Sequence, residues 1–207
     1  MGAIETLKLF ESGTVNFTDI RAKLKPRPWR FDALDDWLER MQGPPYRAAI
    51  LFVDNAGPDV VLGMIPLARE LLRQGTAVIL SANTEPSLND VTHAELTGLI
   101  EQVAEADSLI RDALADRPGQ VGQLRLIESG NWAPLIDLTK VSPQLAKAAS
   151  ELPVDLVVLE GMGRSLESNF DAKLSCDVLR LAMIKDAGVA EFLDAEPFDL
   201  AMRFCRV

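Results

Sequence analysis

The sequence is poor in the residues on which many kinds of protein chemistry depend. Its 207 residues include one histidine, His93, and two cysteines, Cys176 and Cys205. A single histidine removes most histidine-based catalytic and zinc schemes. The cysteines lie in predicted elements near the C-terminus without the spacing of a metal motif, so we expect buried, reduced thiols rather than a disulfide or a zinc site.

Long apolar runs and positive charges are also scarce. No run approaches the roughly 18 to 20 residues that cross a bilayer, and the N-terminus lacks the residue order of a signal peptide. Lysine and arginine number 21 against 31 acidic residues, which gives a net charge of -10. This balance argues against nucleic acid and anionic membranes as partners, because such binding depends on clustered positive charge. We therefore expect a soluble, cytoplasmic protein.

The composition that remains is that of an ordinary globular protein, with 48% hydrophobic and 25% charged residues. The length suits either one domain or a core domain with a small appendage, and one domain is the simpler interpretation. We predict an N-terminal segment, residues 1–45, that is partly helical and partly extended, followed by an α/β domain, residues 46–207. Within the first segment, helices are predicted at Thr6–Phe10 and Asp32–Met41, with Asp32 as a cap.

From residue 48 onward, apolar runs alternate with stretches of helical periodicity. Runs without polar alternation are typical of parallel strands that are buried on both faces. The predicted strands are Ala49–Val53, Ala77–Leu80, Leu124–Ile127, Leu156–Leu159, Val178–Ile184 and Phe198–Phe204, the last at the edge of the sheet. Helices are predicted from Asp59, from Asp90 to about Glu105, and at Asp107–Ala115, Val141–Leu152 and Gly188–Leu193. The order predicts an α/β fold: a mainly parallel, Rossmann-like sheet of about six strands with helices on both faces.

Every unusual polar cluster follows a strand rather than preceding one. Asp54 and Asn55 follow the first buried strand, and Asn83, Asn89 and Asp90 follow the second. Because the carboxyl ends of parallel strands share one edge, we expect Asp54, Asn55 and Asp90 to converge. Two carboxylates and an amide oxygen suit Mg²⁺, Mn²⁺ or a similar ion that keeps several waters. On spacing alone, an equally good interpretation is that Asp54 and Asn55 turn the chain and Asp90 caps a helix.

Two later strands bring glycine and positive charge to the same edge. The residues at these strand ends are Glu160, Gly161, Met162, Gly163 and Arg164, and then Lys185. Arginine and lysine can offset the oxygens of a phosphate, although Arg164 could instead pair with a surface carboxylate. The glycines allow the backbone to approach a ligand closely. Glu160 could orient a water, support a ligand or neutralise Arg164.

Three separated blocks of the sequence resemble a known family. They are FVDNAGPDVVLGMIPLARELLRQGTAVILSANTEPSLNDVTHAEL, DLVVLEGMGR and LAMIKD, which agree with the family in order and spacing. From roughly Arg27 to the C-terminus, the chain resembles the DUF89, or damage-control phosphatase, family. It is most similar to the branch that includes the 4'-phosphopantetheine phosphatase domain of pantothenate kinase 4.

The resemblance implies metal-dependent hydrolysis of small phosphomonoesters, with Co²⁺, Ni²⁺, Mn²⁺ or Mg²⁺ as the cofactor. For this branch, the implied substrate is 4'-phosphopantetheine or its oxidised or sulfonated forms. The metal ligands would be Asp54, Asn55 and Asp90, and the catalytic residues Asp54, Asp90 and Lys185. The substrate-binding residues would be Asn83, Glu160, Gly161, Met162, Gly163, Arg164 and Lys185.

Our hypothesis for the mechanism is that a metal-activated water attacks a phosphoryl group clamped by the ion and Lys185. A covalent role for Asp54 is less favoured, since no second aspartate stands two residues on. One alternative is an S-adenosylmethionine-dependent carboxyl methyltransferase, although the loop at 160–164 matches its glycine-rich cofactor turn poorly. Another is a non-catalytic metabolite-binding module, against which the intact polar clusters argue.

The chain departs from the family pattern in its N-terminal part. Familiar members carry a sizeable helical region before the catalytic sheet, whereas about 45 residues precede it here. We therefore expect a reduced cap on the substrate side. An apolar surface exposed where those helices normally pack would favour a homo-oligomer.

Overall fold

The computed structural model describes residues 24–115 and 123–207, together with Thr18. Its strands are β1 (Phe31–Asp32), β2 (Ala48–Phe52), β3 (Ala77–Ala82), β4 (Leu124–Glu128), β5 (Val154–Glu160), β6 (Asp177–Met183) and β7 (Leu200–Cys205). Its helices are α1 (Leu34–Met41), α2 (Ile65–Arg73), α3 (His93–Ala106), α4 (Ser108–Leu114), α5 (Pro143–Glu151) and α6 (Ala187–Phe192). Two π-helical turns span Asp59–Met64 and Met162–Glu167. The helix predicted at Thr6–Phe10 lies outside the described residues.

The strands form one sheet in the order β1-β7-β6-β5-β2-β3-β4. Only the β6–β7 pair is antiparallel among the strand pairs of the described ranges. The predicted α/β fold with a mainly parallel sheet is therefore confirmed, with seven strands rather than about six. The prediction that the last strand forms the edge is wrong, because β7 lies between β6 and β1. The edge on that side of the sheet is β1, whose Phe31 and Asp32 pair with Ala201 and Met202, and the other edge is β4.

Helices cover the sheet on both sides because the central strands carry apolar side chains on both faces. All five residues of β2 are buried. Ala49 and Leu51 belong to the core formed with α2, α3 and α4, whereas Ile50 and Phe52 pack in the core formed with α5. Full burial of each large side chain of this kind contributes roughly 1.5 to 3 kcal/mol. No helix in residues 24–115 and 123–207 is long and apolar enough to span a bilayer.

The starts of two helices differ from the sequence prediction. Helix α3 begins with a capping box in which the Thr92 hydroxyl accepts the Glu95 N–H and the Glu95 carboxylate accepts the Thr92 N–H. Asp90 therefore does not cap it. Helix α1 has Ala33 at its N-cap position, and Asp32, one residue earlier, accepts the Leu34 N–H at 3.4 Å through its side chain.

The three central parallel strands end at the same level. Phe52 of β2 pairs with Ser81 of β3 and with Leu159 of β5. Two residues beyond this level, the three chains reach Asp54, Asn83 and Gly161. The register of the sheet thus places polar groups from three distant parts of the sequence at one edge.

Candidate metal and phosphate site

Asp54 and Asp90 lie close together at the carboxyl edge of the sheet. The backbones of Asn55 and Asp90 pair in an isolated antiparallel bridge, and the Val91 N–H donates to the Asp54 carbonyl at 2.8 Å. Both aspartates are buried, with 7% of each residue exposed. The predicted convergence of Asp54, Asn55 and Asp90 is confirmed.

The guanidinium of Arg164 lies between the two carboxylates. Its Nη1 pairs with Asp54 Oδ1, and its Nη2 is 3.1 Å from Asp90 Oδ2. Nη2 also donates to Asn83 Oδ1 at 2.9 Å, while Asn83 Nδ2 donates to Asp90 Oδ2 at 3.0 Å. Because Arg164 is only 1% exposed, its cation pairs with buried carboxylates and not with a surface carboxylate.

Glu160 and Gly161 hold Asp54 from the neighbouring strand. Glu160 Oε2 accepts the Asp54 N–H at 2.7 Å. Gly161 has a φ of +100°, and a Cβ built on it would lie 2.7 Å from the Asp54 Cβ and closer still to the Asp54 carboxylate. Glycine is therefore needed both for the backbone conformation and for the close approach. The structure places Glu160 on the Asp54 backbone rather than on Arg164.

Asn55 is held by two residues to which the sequence pattern assigns no site role. Its Oδ1 accepts the Asn89 side-chain amide at 2.7 Å, and its Nδ2 donates to Asp59 Oδ2 at 2.8 Å. The sequence predicts Asp59 only as the start of a helix. Asn55 lies in a β-bridge, before the turn that leads into the π-helical segment at Asp59, so no helical spacing in the sequence indicates this contact.

A cavity of about 520 Å³ opens beside these residues, towards β6 and β7. Its polar lining consists of Asn55, Asp59, Glu160 and Lys185. The rest of the lining is mainly apolar and includes Leu24, Trp29, Met64, Met162, Met183 and Met202. One polar end and one apolar wall therefore belong to the same cavity.

Lys185 supplies a positive charge at the polar end of this cavity. The residue is exposed, and its ammonium group makes no ion pair within the part of the chain that the structure describes. Its backbone N–H donates to the Met162 sulfur at 3.3 Å. The side chain is therefore available to an anion in the cavity.

Burial shifts the acidity of the buried groups. Burial raises the pKa of Asp90 to about 6, an effect that the hydrogen bond from Asn83 opposes. Burial also raises the pKa of Glu160 well above its usual value, and the charge of Asp59 acts in the same direction. Burial lowers the pKa of Arg164 to about 10, so this side chain stays protonated at neutral pH.

The chain matches the model of the damage-control phosphatase ARMT1-like domain over residues 10–200. It belongs to this family.

Three relatives illustrate the similarity. Damage-control phosphatase At2g17340 of Arabidopsis thaliana is 37% identical over 207 residues, which cover 100% of this chain and 54% of that protein. Pantothenate kinase 2 of Oryza sativa subsp. japonica is 46% identical over 93% of this chain and 23% of its own length. The 4'-phosphopantetheine phosphatase of Mus musculus is 33% identical over 91% of this chain and 28% of its own length.

A solved structure of a DUF89 family protein from Pyrococcus horikoshii has the same fold. It superimposes with a TM-score of 0.56 at 18% identity, over 86% of this chain and 53% of that chain. The chain thus spans about half, or less, of the length of the relatives that it matches. The membership of the damage-control phosphatase family concerns this shared domain.

The residues that the sequence predicts for the site fall into two neighbouring groups. Asp54, Asn83, Asp90 and Arg164 form the buried cluster. Asn55, Glu160, Gly161, Met162 and Lys185 line the cavity. Gly163 belongs to neither group. It packs against the backbone of Pro134, because a Cβ on it would lie 2.6 Å from the Pro134 carbonyl oxygen.

The donor set at this edge fits a hard divalent ion. Residues 24–115 and 123–207 contain no group of three histidine, cysteine, aspartate or glutamate side chains arranged to hold a metal. An ion here would depend on the carboxylates of Asp54 and Asp90 and on the amide oxygen of Asn55. Ions such as Mg²⁺ and Mn²⁺ accept one or two carboxylates and complete their shell with water and phosphate oxygens. Asp54 Oδ1 is buried and pairs only with Arg164 among the described groups. A carboxylate oxygen of this kind also suits a negatively charged site that binds a cation.

Proposed function

We propose that the chain is a divalent-metal-dependent phosphatase that hydrolyses small-molecule phosphomonoesters. The observation that carries the proposal is the position of two buried carboxylates, Asp54 and Asp90, beside a cavity whose polar end holds the exposed cation of Lys185. Phosphate monoester hydrolysis needs positive charge on the phosphoryl oxygens and a site for the ion. Membership of the damage-control phosphatase family supports the same activity.

Asp54, Asp90 and Asn55 would hold the ion, with Co²⁺, Ni²⁺, Mn²⁺ or Mg²⁺ as candidates. When bound, the ion would polarise the phosphoryl group and lower the pKa of a water molecule. The protein's own contribution is to fix these ligands. Glu160 orients Asp54 through its N–H.

Lys185 is proposed to bind the phosphate. Its ammonium group can neutralise oxygens that gain negative charge as the ester bond breaks. Glu160 lies in the same lining, and burial favours its neutral form, which leaves the positive charge of Lys185 less compensated. Asp59 lies in the same lining, so Lys185 and the proposed ion together would supply the positive charge that an anion needs at this end.

The substrate that we propose is 4'-phosphopantetheine or one of its oxidised or sulfonated forms. A cavity of about 520 Å³ is within the ordinary range for small-molecule ligands. Its mainly apolar wall suits an extended, uncharged arm attached to the phosphate. The name of the mouse relative, 4'-phosphopantetheine phosphatase, supports this choice.

The test is phosphate release from 4'-phosphopantetheine and from glucose 6-phosphate, with Mn²⁺ or Co²⁺ and after chelation. We expect release from the former, its loss on chelation and its return with the ion. Asp90→Asn, which keeps the shape of the side chain, should reduce release by at least a hundredfold.

Asp112→Asn is the matched control, because Asp112 is an exposed aspartate on α4, outside the cavity lining. It should retain full activity. Release that is unaffected both by the chelator and by Asp90→Asn would contradict the metal-dependent mechanism.

A further inference from the structure

We propose that Arg164 is a built-in counter-cation for the metal site. It offsets about half of the negative charge of Asp54 and Asp90 when no ion is bound, so the site remains folded in the metal-free protein. The inference rests on the proposed function, since it assumes that the same carboxylates bind the ion.

The geometry assigns one oxygen of each carboxylate to Arg164. The guanidinium contacts Asp54 Oδ1 and Asp90 Oδ2. Asp54 Oδ1 and Arg164 Nη1 have no partner other than each other among the residues that the structure describes. The second oxygen of each carboxylate makes no hydrogen bond within those residues, so Asp54 Oδ2 and Asp90 Oδ1 remain for an ion.

Arg164 is also fixed in place. Asn83 accepts a hydrogen bond from Nη2 and donates one to Asp90, which closes a small network. The backbone carbonyl of Arg164 accepts from the Asn169 side-chain amide at 2.9 Å. Because the residue is 1% exposed and its side chain and backbone are both held by hydrogen bonds, the guanidinium remains at the carboxylates rather than reaching into solvent.

The net charge of Asp54, Asp90 and Arg164 determines how much the site depends on an ion. Two carboxylates and one guanidinium leave a net charge of about -1, which still attracts a divalent ion but does not require one. Without Arg164, two buried carboxylates would face each other with no cation, which strongly destabilises a fold. The ion would then be their only counter-charge, so it should stabilise such a variant far more than it stabilises the wild type.

Melting temperatures of the wild type, Arg164→Gln and Arg164→Lys, measured in a chelator and then with Mn²⁺, test the inference. In the chelator we expect Arg164→Gln to melt roughly 5 to 10 °C below the wild type, and Arg164→Lys to lose less than half as much. Saturating Mn²⁺ should recover at least half of the loss in Arg164→Gln. An unchanged melting temperature in the chelator, or no recovery with Mn²⁺, would overturn the inference.

Arg180→Gln is the matched control. Arg180 is also 1% exposed, but it donates to the backbone carbonyls of Asn169 and Ala172 at 2.7 and 2.6 Å. Its replacement should lower the melting temperature without any additional recovery from Mn²⁺. Equal recovery in both variants would show a general effect of the ion and would also overturn the role of Arg164.

If Arg164→Gln does not fold in the chelator, refolding from urea replaces melting as the readout. Recovery of folded protein only with Mn²⁺ supports the inference, and equal yields with and without Mn²⁺ overturn it. Phosphate release by the wild type separates the two proposals. If the wild type releases phosphate only with the metal but Mn²⁺ does not stabilise Arg164→Gln, the proposed role of Arg164 is wrong and the phosphatase proposal stands. If Mn²⁺ stabilises Arg164→Gln but the wild type releases no phosphate, the phosphatase proposal is wrong and the role of Arg164 stands.

Discussion

The side chain of Asp54 occupies the space that a side chain on Gly161 would need. Asp54 follows β2 and Gly161 follows β5, two strands that run side by side and end at the same level. The positive φ of Gly161 turns its backbone towards the aspartate. The absence of one Cβ therefore makes room for a candidate metal ligand.

Gly161→Ala should abolish the site. The new methyl group would overlap the Asp54 carboxylate, and alanine at a φ of +100° costs about 1 to 2 kcal/mol. We expect phosphate release to fall at least a hundredfold and the melting temperature to fall by several degrees. Gly98→Ala on α3 is the control, since a Cβ there meets nothing within 4 Å. Wild-type activity in Gly161→Ala would contradict the proposed role of Asp54.

Lys185→Ala should affect catalysis and not stability. Loss of a charge-assisted contact to phosphate predicts a decrease in kcat/KM of about a hundredfold. The melting temperature should stay unchanged, because the residue is exposed. Steady-state kinetics and thermal melting measure the two effects. Lys147→Ala on α5, whose ammonium lies 3.7 Å from Glu151, is the control, and an equal loss of activity in it would argue against a specific role for Lys185.

Gly63→Leu should narrow the cavity. Gly63 lines it, and a Cβ there meets nothing within 4 Å, so a leucine side chain has room to extend into the space for the substrate arm. We expect the KM for 4'-phosphopantetheine to rise about tenfold. The inhibition constant of inorganic phosphate, which needs only the polar end, should not change. A parallel change in both constants, or an equal change in Gly98→Leu, would contradict the assignment of the cavity.

Tyr46 should titrate at unusually high pH. Burial and its hydrogen bond to Asp177, 2.8 Å long, raise its pKa above the usual value of about 10. Because the folded chain keeps this proton where the unfolded chain loses it, stability should fall as pH rises above 10. Tyr46 is the single tyrosine, so phenolate absorbance with and without urea reports it alone. The same apparent pKa in both conditions would refute the expectation.

The sequence predicts the central sheet well because its signals are strong there. The strands β2, β3 and β5 appear as apolar runs, and each is followed by polar residues. The parallel order of such strands is sufficient to predict that Asp54, Asn55 and Asp90 meet.

Other features have no clear signal in the sequence. β1 is two residues long, too short for any periodicity, so the place of β7 beside it could not be anticipated. The buried environment of Arg164 arises from contacts with Asn83 and Asp90, which are 81 and 74 positions away in the sequence. An arginine at a strand end looks the same in the sequence whether it faces solvent or two carboxylates.

The methionines of the cavity wall have a consequence for selectivity. Four of the six in the chain, Met64, Met162, Met183 and Met202, lie there. Methionine is unbranched and polarizable, and it adjusts its shape at little cost. A lining of this kind can adjust its shape to ligands whose extended arms differ only by one or two oxygen atoms on a sulfur. With the proposed substrates, discrimination would then come from the anionic end of the ligand, and the same cavity would accept both an intact compound and its damaged derivatives.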